Sequence, residues 1–369
     1  MPGLKILHVI WTARTGGIAS VVLQLVQDSI SKETDGRPAM AVMMGMKTGE
    51  LLPDFIGSGV PLYDAGLKSG TDLTWSVYRR CKAVFDDFDI LHFHSFNPLL
   101  AWAACRSSAK TVYTEHGNFG IGRDLKFTDV LLRYLQGRFL NGCVKAVTFN
   151  SEFTRRMSID RFGLDRPMKR IIPNGIRPLE QPEEPATQFS QIKKDGILIA
   201  AVGRLASVKR FDRLIEAFAS VSPRRSRLVI LGKGPEKDRL DLMIKDSGMA
   251  DRISIIDKAC VHDLLEACDY CVLPSSGEAF GLVALEAYQH GKKVFVFRDG
   301  GGVTELVHEA EPDALVEDVA ELGRRILECE DSGSGKPNEE QLIRARKEFA
   351  ARYSIERMQH SLDQLYSEI

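Results

Sequence analysis

The stretch SSGEAFGLVALEAYQHGK, residues 275–292, carries two glutamates eight positions apart. Inside one helix Glu278 and Glu286 would be turned about 80° from each other, so they would not share a face. The lead-in Gly-Glu-Ala-Phe-Gly predicts instead a helix that begins near Phe280, with Glu278 in the preceding loop and Glu286 nearly two turns inside. Because carboxylates bind hydroxyls and helix N–H groups bind anions, this pattern suits a ligand with hydroxyls at both ends of a diphosphate. The spacing alone fits a surface helix equally well.

Two other predicted strand ends carry groups suited to phosphate. The strand 196–203 leads into VGRLASVKRFD, where Arg204 and Lys209 would clamp a diphosphate, although solvated surface charges give the same pattern. The first strand leads into WTARTGG, and Gly16 and Gly17 open a helix whose N–H groups favour an anion. No G-x-G-x-x-G fingerprint follows a strand, so a nicotinamide dinucleotide site is only weakly supported.

Three histidines lie on or after neighbouring predicted strands. The run ILHFHS places His92 and His94 on one strand face by its two-residue period. A zinc site needs a third ligand, for which His116 is the only apparent candidate, and hydrogen-bonded core histidines are the favoured interpretation. His116 precedes a glycine at a strand end, where a histidine could donate to a reacting oxygen. No metal site is therefore predicted.

The fold class predicted for this chain is α/β with two Rossmann-like, doubly wound domains. Short apolar runs alternate with amphipathic helices in both halves, which indicates mainly parallel sheets. A proline-rich, charged stretch at 175–195 is the predicted linker. Ligands of such sheets bind at the carboxyl ends of strands, so we expect the two domains to face a cleft. The strands predicted in the first half are 5–11, 40–45, 61–66, 90–95, 110–116, 146–151 and 169–174.

Composition limits the functional class. The chain has 369 residues, 27% of them charged, and a formal net charge of −1, which argues against binding nucleic acid. Seven scattered cysteines indicate a reducing compartment, and the lone C-x-x-C of Cys268 and Cys271 is interpreted as core packing. No run reaches the ~18–20 apolar residues of a membrane-spanning helix. We therefore predict a cytoplasmic protein, with a peripheral contact to the inner membrane face left open by basic residues near the helix 128–140: Arg123, Lys126, Arg133, Arg138 and Lys145.

The motifs GRLASVK, LGKGPE, LPSSGEAFGLVALEA and GGVTEL occur in an order and spacing that resemble the GT-B-fold glycosyltransferases of family GT4. TGGIASVV, DILHFHS, TVYTEHG and IIPNGI extend the resemblance over essentially the whole chain. It implies an N-terminal acceptor domain (1–175), a C-terminal donor domain (195–353) and a last helix (354–369) that packs on the N-terminal domain. It also implies retaining, metal-independent transfer of a hexosyl-type group from a UDP or GDP sugar to a glycan or lipid-linked acceptor. No cofactor is implied.

The resemblance assigns phosphate contacts to both halves. Gly16 and Gly17 would form a loop that faces the donor diphosphate and the acceptor. Arg204 and Lys209 would neutralise the diphosphate as it leaves, and both are counted among the catalytic residues.

Sugar contacts are implied in the same way. Glu278 would contact the hydroxyls of the transferred sugar, His116 would lie near its anomeric carbon, and Glu286 would hold the ribose hydroxyls. His116 and Glu278 complete the implied catalytic set. Three residues would present backbone N–H groups to the sugar and phosphate: Phe280, Gly281 and Leu282.

Other functions remain open at this stage. An inverting transferase or a phosphorylase on the same scaffold would differ in mechanism, and His116 could then serve as the general base. A non-catalytic subunit that binds nucleotide sugars would keep the fold alone. A nicotinamide oxidoreductase is disfavoured by the missing fingerprint. Acceptor contacts are expected from the loops 45–60 and 117–127.

Overall fold

The computed structural model describes residues 3–31, 39–70, 72–117, 127–179, 187–193, 196–332 and 339–369. Two compact units divide the chain. The N-terminal unit comprises Met1–Arg177 and Ser354–Ile369, and the C-terminal unit comprises Pro178–Tyr353. Each contains a parallel sheet with helices, so the predicted α/β class with two doubly wound sheets is confirmed.

The sheet of the N-terminal unit has seven parallel strands in the order β3-β2-β1-β4-β5-β6-β7. All seven predicted strands are present, with ends that differ by a few residues. The strands are β1 (Lys5–Ile10), β2 (Ala39–Met44), β3 (Leu62–Asp64), β4 (Ile90–Phe93), β5 (Lys110–Glu115), β6 (Val144–Phe149) and β7 (Met168–Ile171). The helices are α1 (Gly17–Ser31), α2 (Leu52–Gly57), α3 (Trp75–Phe85), α4 (Pro98–Ala104), α5 (Phe127–Gly142) and α6 (Glu152–Phe162).

The inner strands are almost wholly buried, as expected for a parallel sheet covered by helices on both faces. Helices α2, α4 and α6 each follow the strand of the same number. Two of them have clear start signals: the side chain of Asn97 accepts the N–H groups of Leu99 and Leu100, and Ser151 accepts that of Thr154.

The last helix, α15 (Ile355–Glu368), belongs to the N-terminal unit. Ile176 forms a parallel bridge with Ser354, which caps the helix by accepting the N–H of Arg357. A Cβ atom on Gly175 would lie 2.6 Å from the Cα of Ile355. The glycine of the IIPNGI motif therefore allows the returning chain to approach this closely.

The sheet of the C-terminal unit has six parallel strands in the order β10-β9-β8-β11-β12-β13. They are β8 (Leu198–Val202), β9 (Arg227–Leu231), β10 (Ile253–Ile256), β11 (Tyr270–Leu273), β12 (Lys293–Phe297) and β13 (Leu315–Val316). The helices are α7 (Thr187–Lys193), α8 (Phe211–Val221), α9 (Lys237–Asp246), α10 (Val261–Ala267), α11 (Leu282–Gln289), α12 (Gly302–Ala310), α13 (Val319–Ser332) and α14 (Glu339–Ala351).

The predicted linker 175–195 is only partly a linker. Residues 187–193 form α7, and the Phe189 side chain is fully buried. Burial of one phenylalanine can anchor a short helix. The prolines and charges around Phe189 led to the prediction of a linker, although this part of it is helical. Residues 180–186 and 194–195 lie outside the described part of the chain.

Two further expectations concern the core and the membrane. Cys268 and Cys271 are buried free thiols, as their interpretation as core residues requires, and burial raises the pKa of Cys268 to about 12. Among the described helices, none combines the length and the apolar character that crossing a bilayer demands.

Candidate active site

In the C-terminal unit, the strand order reverses between β8 and β11, which are adjacent in the sheet. The chain leaves these two strands in opposite directions, so a crevice is expected at their carboxyl ends. The loop after β8 carries Arg204 and Lys209, and the loop after β11 carries Glu278. The two loops are joined by a 2.9 Å hydrogen bond from the N–H of Ser276 to the carbonyl oxygen of Val208.

The LGKGPE motif supports the loop after β8. The N–H of Leu205 donates to the carbonyl oxygen of Lys233 at 2.8 Å, and the N–H of Glu236 donates to that of Leu205 at 3.1 Å. A Cβ atom on Gly234 would lie 2.1 Å from the Leu205 oxygen, and one on Gly232 would be just as close to the preceding loop. The two glycines are therefore required for this backbone contact, because a side chain at either position would clash.

Lys209 and Glu278 form an ion pair, and each side chain is 23% exposed. Arg204 is exposed, and its side chain has no partner among the described residues. Of the two predicted cations, one is thus held by a carboxylate and the other extends toward solvent.

The backbone of Glu278 is fixed by residues 298–303, which join β12 to the first turn of α12 and are here called the GGV loop. Its N–H donates to the carbonyl oxygen of Gly300 at 2.7 Å, and its own carbonyl oxygen accepts the N–H of Gly302 at 2.7 Å. Asp299 lies in the same loop and forms a bidentate ion pair with Arg213. The two carboxylate oxygens of Asp299 lie 2.8 and 2.5 Å from the guanidinium nitrogens of Arg213. The sequence patterns did not indicate Arg213 or Asp299, because nothing in their spacing links residues so far apart.

The helix that contains Glu286 begins at Leu282, two residues after Phe280, near which its start was predicted. Gly281, the residue before the helix, has φ of 97°, a left-handed conformation in which the helix cannot continue toward the N-terminus. A Cβ atom on Gly281 would lie 2.4 Å from Cγ2 of Val303. The Phe280 ring is buried, not free in a loop. Glu278 precedes the helix, as predicted, whereas Glu286 lies about 6 Å along it from Leu282, little more than one turn inside instead of nearly two.

Glu286 is the carboxylate without a partner in this site. Its side chain is only partly exposed and has no hydrogen bond or ion pair to any described residue. Burial raises its pKa to about 7. A partly buried carboxyl group with no partner among the described residues suits a ligand that brings its own hydroxyl donors.

In the N-terminal unit, Gly16 and Gly17 follow β1, which adjoins β4 at the reversal of strand order in that sheet. Both glycines are exposed, and the Gly16 carbonyl oxygen accepts the N–H of Ser20 at the start of α1. The predicted βα turn is therefore present.

A chain of histidines joins β1, where His8 lies, to the residues that follow β4 and β5, His94 and His116. Nδ1 of His94 is 3.0 Å from Nε2 of His116, and Nε2 of His94 is 2.9 Å from Nδ1 of His8. His92 is hydrogen-bonded separately, with Nδ1 2.6 Å from the Tyr366 hydroxyl and Nε2 2.6 Å from Oγ1 of Thr114. Burial lowers the pKa of His8 and His116 to about 4, so both are neutral at pH 7.

His8 was not among the histidines singled out from the sequence. The pairing of β1 with β4 would have identified it as a neighbour of His92. It lies opposite His92 in the register of β1 and β4, on the same face of the sheet. In the described part of the chain, His8, His92 and His94 form the one group of three possible metal ligands, with ligand atoms within 4.8 Å of one another.

Two family models cover most of the chain. Residues 183–349 match the model described as "Glycosyl transferases group 1", and residues 42–178 match the one described as "Glycosyltransferase Family 4". The chain belongs to glycosyltransferase family 4. The GT-B fold follows from the two units and from the solved structures that resemble them.

This family 4 chain is similar to several known proteins. It is 32% identical over 179 residues to a D-inositol 3-phosphate glycosyltransferase of Acidothermus cellulolyticus, which covers 44% of this chain and 40% of that protein. The chain thus spans well under two thirds of that relative's length. The crystal structure of Anabaena HepE in complex with UDP and glucose has a TM-score of 0.80 at 18% identity, over 99% of this chain and 100% of that one. WaaG, a glycosyltransferase involved in lipopolysaccharide biosynthesis, has a TM-score of 0.73 at 16% identity and covers 98% of this chain and 99% of its own.

Proposed function

We propose that the protein is a retaining glycosyltransferase that moves a hexosyl-type group from a nucleoside-diphosphate sugar to an acceptor hydroxyl. The observation that carries the proposal is the position of Lys209, Glu278 and Glu286 around the start of α11, at the reversal of strand order in the C-terminal sheet. Family membership supports the class of reaction, and solved relatives with UDP and UDP-glucose support a UDP sugar as donor.

The leaving diphosphate is the group that this site must stabilise. Cleavage of the glycosyl–phosphate bond leaves negative charge on the phosphate, and Arg204, Lys209 and the first N–H groups of α11 are the donors available to it. Phe280, Gly281 and Leu282 would contribute those backbone groups. Arg204 is exposed and the Lys209 side chain is partly exposed. Either side chain can therefore turn toward a ligand without leaving a fully buried charge unpaired.

The carboxylates would hold the two sugars of the donor. Glu286, whose side chain has no partner among the described residues, would accept hydrogen bonds from the ribose hydroxyls. Glu278 would bind hydroxyls of the transferred hexose and stabilise positive charge on its ring. Because the phosphate can take the acceptor proton on the same face, no protein nucleophile and no metal ion enters this scheme.

The N-terminal unit would contribute Gly16, Gly17 and His116. Their exposed N–H groups and the imidazole would contact the donor phosphate, the hexose and the acceptor. Of the predicted acceptor loops, 45–60 is described and the greater part of 117–127 lies outside the described residues.

A lipid-linked acceptor, and with it a peripheral membrane contact, is supported by one face of α5. Phe127, Val130, Leu131 and Tyr134 recur at helical spacing and are all exposed, Phe127 by 83%. Exposed tryptophans lie on the neighbouring helices α3 and α4, at Trp75 and Trp102. Aromatic and aliphatic side chains flanked by basic residues are typical of helices that lie in a membrane surface. Of the basic residues near α5, Arg123 and Lys126 lie outside the described residues.

The test is a screen of UDP and GDP sugars for binding and for slow hydrolysis, followed by analysis of the transferred product. A donor at 100 times its dissociation constant should add about 2.7 kcal/mol to the free energy of unfolding. A product that retains the anomeric configuration supports the proposal, and an inverted product would establish the inverting alternative. Binding without any transfer or hydrolysis would identify a non-catalytic subunit instead.

A further inference from the structure

We infer that the buried chain His8–His94–His116 holds His116 in the tautomer that carries its proton on Nδ1, so that His116 acts as a hydrogen-bond donor to the sugar nucleotide. His8 and His94 are then positioning residues. The contact with the sugar nucleotide rests on the proposed function, whereas the tautomer itself can be observed in the protein alone.

The three rings form a continuous series of hydrogen bonds. Nδ1 of His8 is 2.9 Å from Nε2 of His94, and Nδ1 of His94 is 3.0 Å from Nε2 of His116. His8 and His94 are buried, at 0% and 2% exposure, and His116 is partly exposed at the carboxyl end of β5. A neutral imidazole has one N–H donor and one acceptor nitrogen, so all three N–H bonds must point the same way along the series.

The end of the series decides the direction. Nε2 of His8 is buried and has no partner among the described residues. If the protons run from His116 inward, this atom is an N–H with no acceptor. If they run outward, His8 donates to His94, His94 donates to His116, and the unpartnered atom is a lone pair. Because buried N–H groups without acceptors are rarer in folded proteins than acceptors left unfilled, we assign the outward direction.

A shared metal ion does not explain the same geometry. A metal takes one nitrogen from each ring, whereas the two nitrogens of His94 face two different histidines. Both nitrogens of His92, the third member of the cluster, are engaged by Tyr366 and Thr114. Metal binding would therefore break several short hydrogen bonds at once.

The outward direction restricts what His116 can do. With Nε2 occupied by the N–H of His94, the proton of His116 is on Nδ1, which can donate to a phosphate or sugar oxygen. A general base needs a free lone pair on that atom, and the reverse tautomer alone provides it. The buried series thus favours a donor role and disfavours the inverting alternative.

The direct test is NMR of the intact protein with ¹⁵N-labelled histidine, using long-range correlations that show which ring nitrogen bears the proton. His8, His94 and His116 should all be protonated on Nδ1, with assignments from His8→Asn, His94→Asn and His116→Asn spectra. Protonation of His116 on Nε2 would overturn the inference, and so would one equivalent of tightly bound zinc in the purified protein. Neither result depends on whether the protein transfers sugar.

Variants of His8 separate positioning from packing. Asparagine keeps an N–H donor near the position of Nδ1, whereas leucine fills the space without one. His8→Leu should lower kcat about tenfold, with KM for the sugar nucleotide changed much less, and should mix the His116 tautomers. His8→Asn should restore most of both. Equal loss in the two variants, with His116 still on Nδ1, would show that His8 has only a structural role.

Discussion

Lys209 and Glu278, 69 residues apart in the sequence, form an ion pair at the carboxyl ends of β8 and β11. In the proposed function the two residues bind different parts of the sugar nucleotide: Lys209 binds the diphosphate and Glu278 binds the hexose. In this structure the two charges satisfy each other. A diphosphate must therefore compete with Glu278 for the ammonium group.

This competition predicts opposite effects of Glu278→Gln on two ligands. UDP should bind as tightly as to the wild type or more tightly, because Lys209 is released from its carboxylate. Turnover of the sugar nucleotide should fall by about 10²-fold, since the variant loses the negative charge that is proposed to stabilise the sugar ring. Calorimetry with UDP and a transfer assay measure the two effects. Parallel losses of UDP affinity and turnover would contradict the separation of roles.

Arg204 should matter for turnover and not for folding. It is exposed and has no partner in the described residues, so Arg204→Ala should change the free energy of unfolding by less than about 0.5 kcal/mol. Loss of its charge from the leaving diphosphate should still slow transfer by about 10²-fold. Arg344→Ala removes an exposed arginine from a helix of the same unit and serves as the matched control. Full activity of Arg204→Ala would refute its assignment.

Glu286 predicts a pH dependence of donor binding. Its pKa of about 7 means that the carboxyl is largely protonated at pH 6 and largely ionised at pH 8. In the proposed contact the ionised form would accept hydrogen bonds from the ribose hydroxyls, so UDP affinity should rise with pH through this range. Glu286→Gln should bind UDP more weakly at pH 8 and lose this part of the pH dependence. An identical pH profile in the variant would exclude Glu286 from the contact.

The same shift makes an independent prediction for stability. A carboxyl whose pKa is raised by folding binds more protons in the folded state between its unfolded pKa, about 4.3, and 7. Its ionisation therefore lowers the free energy of unfolding as pH rises through that window. Glu286→Gln should consequently be more stable relative to the wild type at pH 8 than at pH 4, which denaturant titrations at the two pH values will measure.

The sequence predicted the fold because both halves follow simple rules. Alternation of apolar runs and amphipathic segments marked every strand of the first sheet, and strand ends identified Arg204, Lys209 and Glu278. Helix α6 follows these rules less well, because the residues that it buries, Thr154 and Ser158, are polar and give no apolar period. Phe189 shows the same limit: a single buried ring fixes a helix that proline content had concealed.

Contacts between distant residues could not be predicted in this way. The ion pair of Lys209 with Glu278 and the bonds of Glu278 to the GGV loop depend on how the strands are ordered in the sheet. His8 illustrates the same point, because it becomes a neighbour of His92 only through the pairing of β1 with β4.

A side chain at Gly281 should destabilise the protein more than one at Gly248, a glycine with the same left-handed backbone. Gly281→Ala places a Cβ in a left-handed conformation and 2.4 Å from Val303, so strain and overlap add. Gly248, with φ of 70°, has no atom within 4 Å of a Cβ position. Gly248→Ala should cost about 1–2 kcal/mol of unfolding free energy. Gly281→Ala should cost about 1–3 kcal/mol more and weaken UDP binding, and equal losses would show that Val303 adjusts freely.

The exposed face of α5 predicts binding to lipid. Leu131→Gln with Tyr134→Gln removes two exposed apolar side chains without disturbing the core, so the free energy of unfolding should change little. Each lost apolar side chain weakens insertion by about 1.5–3 kcal/mol if it is fully buried in the membrane. Cosedimentation with anionic phospholipid vesicles should therefore fall at least tenfold in the double variant. Leu242→Gln, at an exposed leucine of the C-terminal unit, should sediment like the wild type. If the wild type itself stays in the supernatant, or the double variant sediments equally, α5 does not bind the membrane surface.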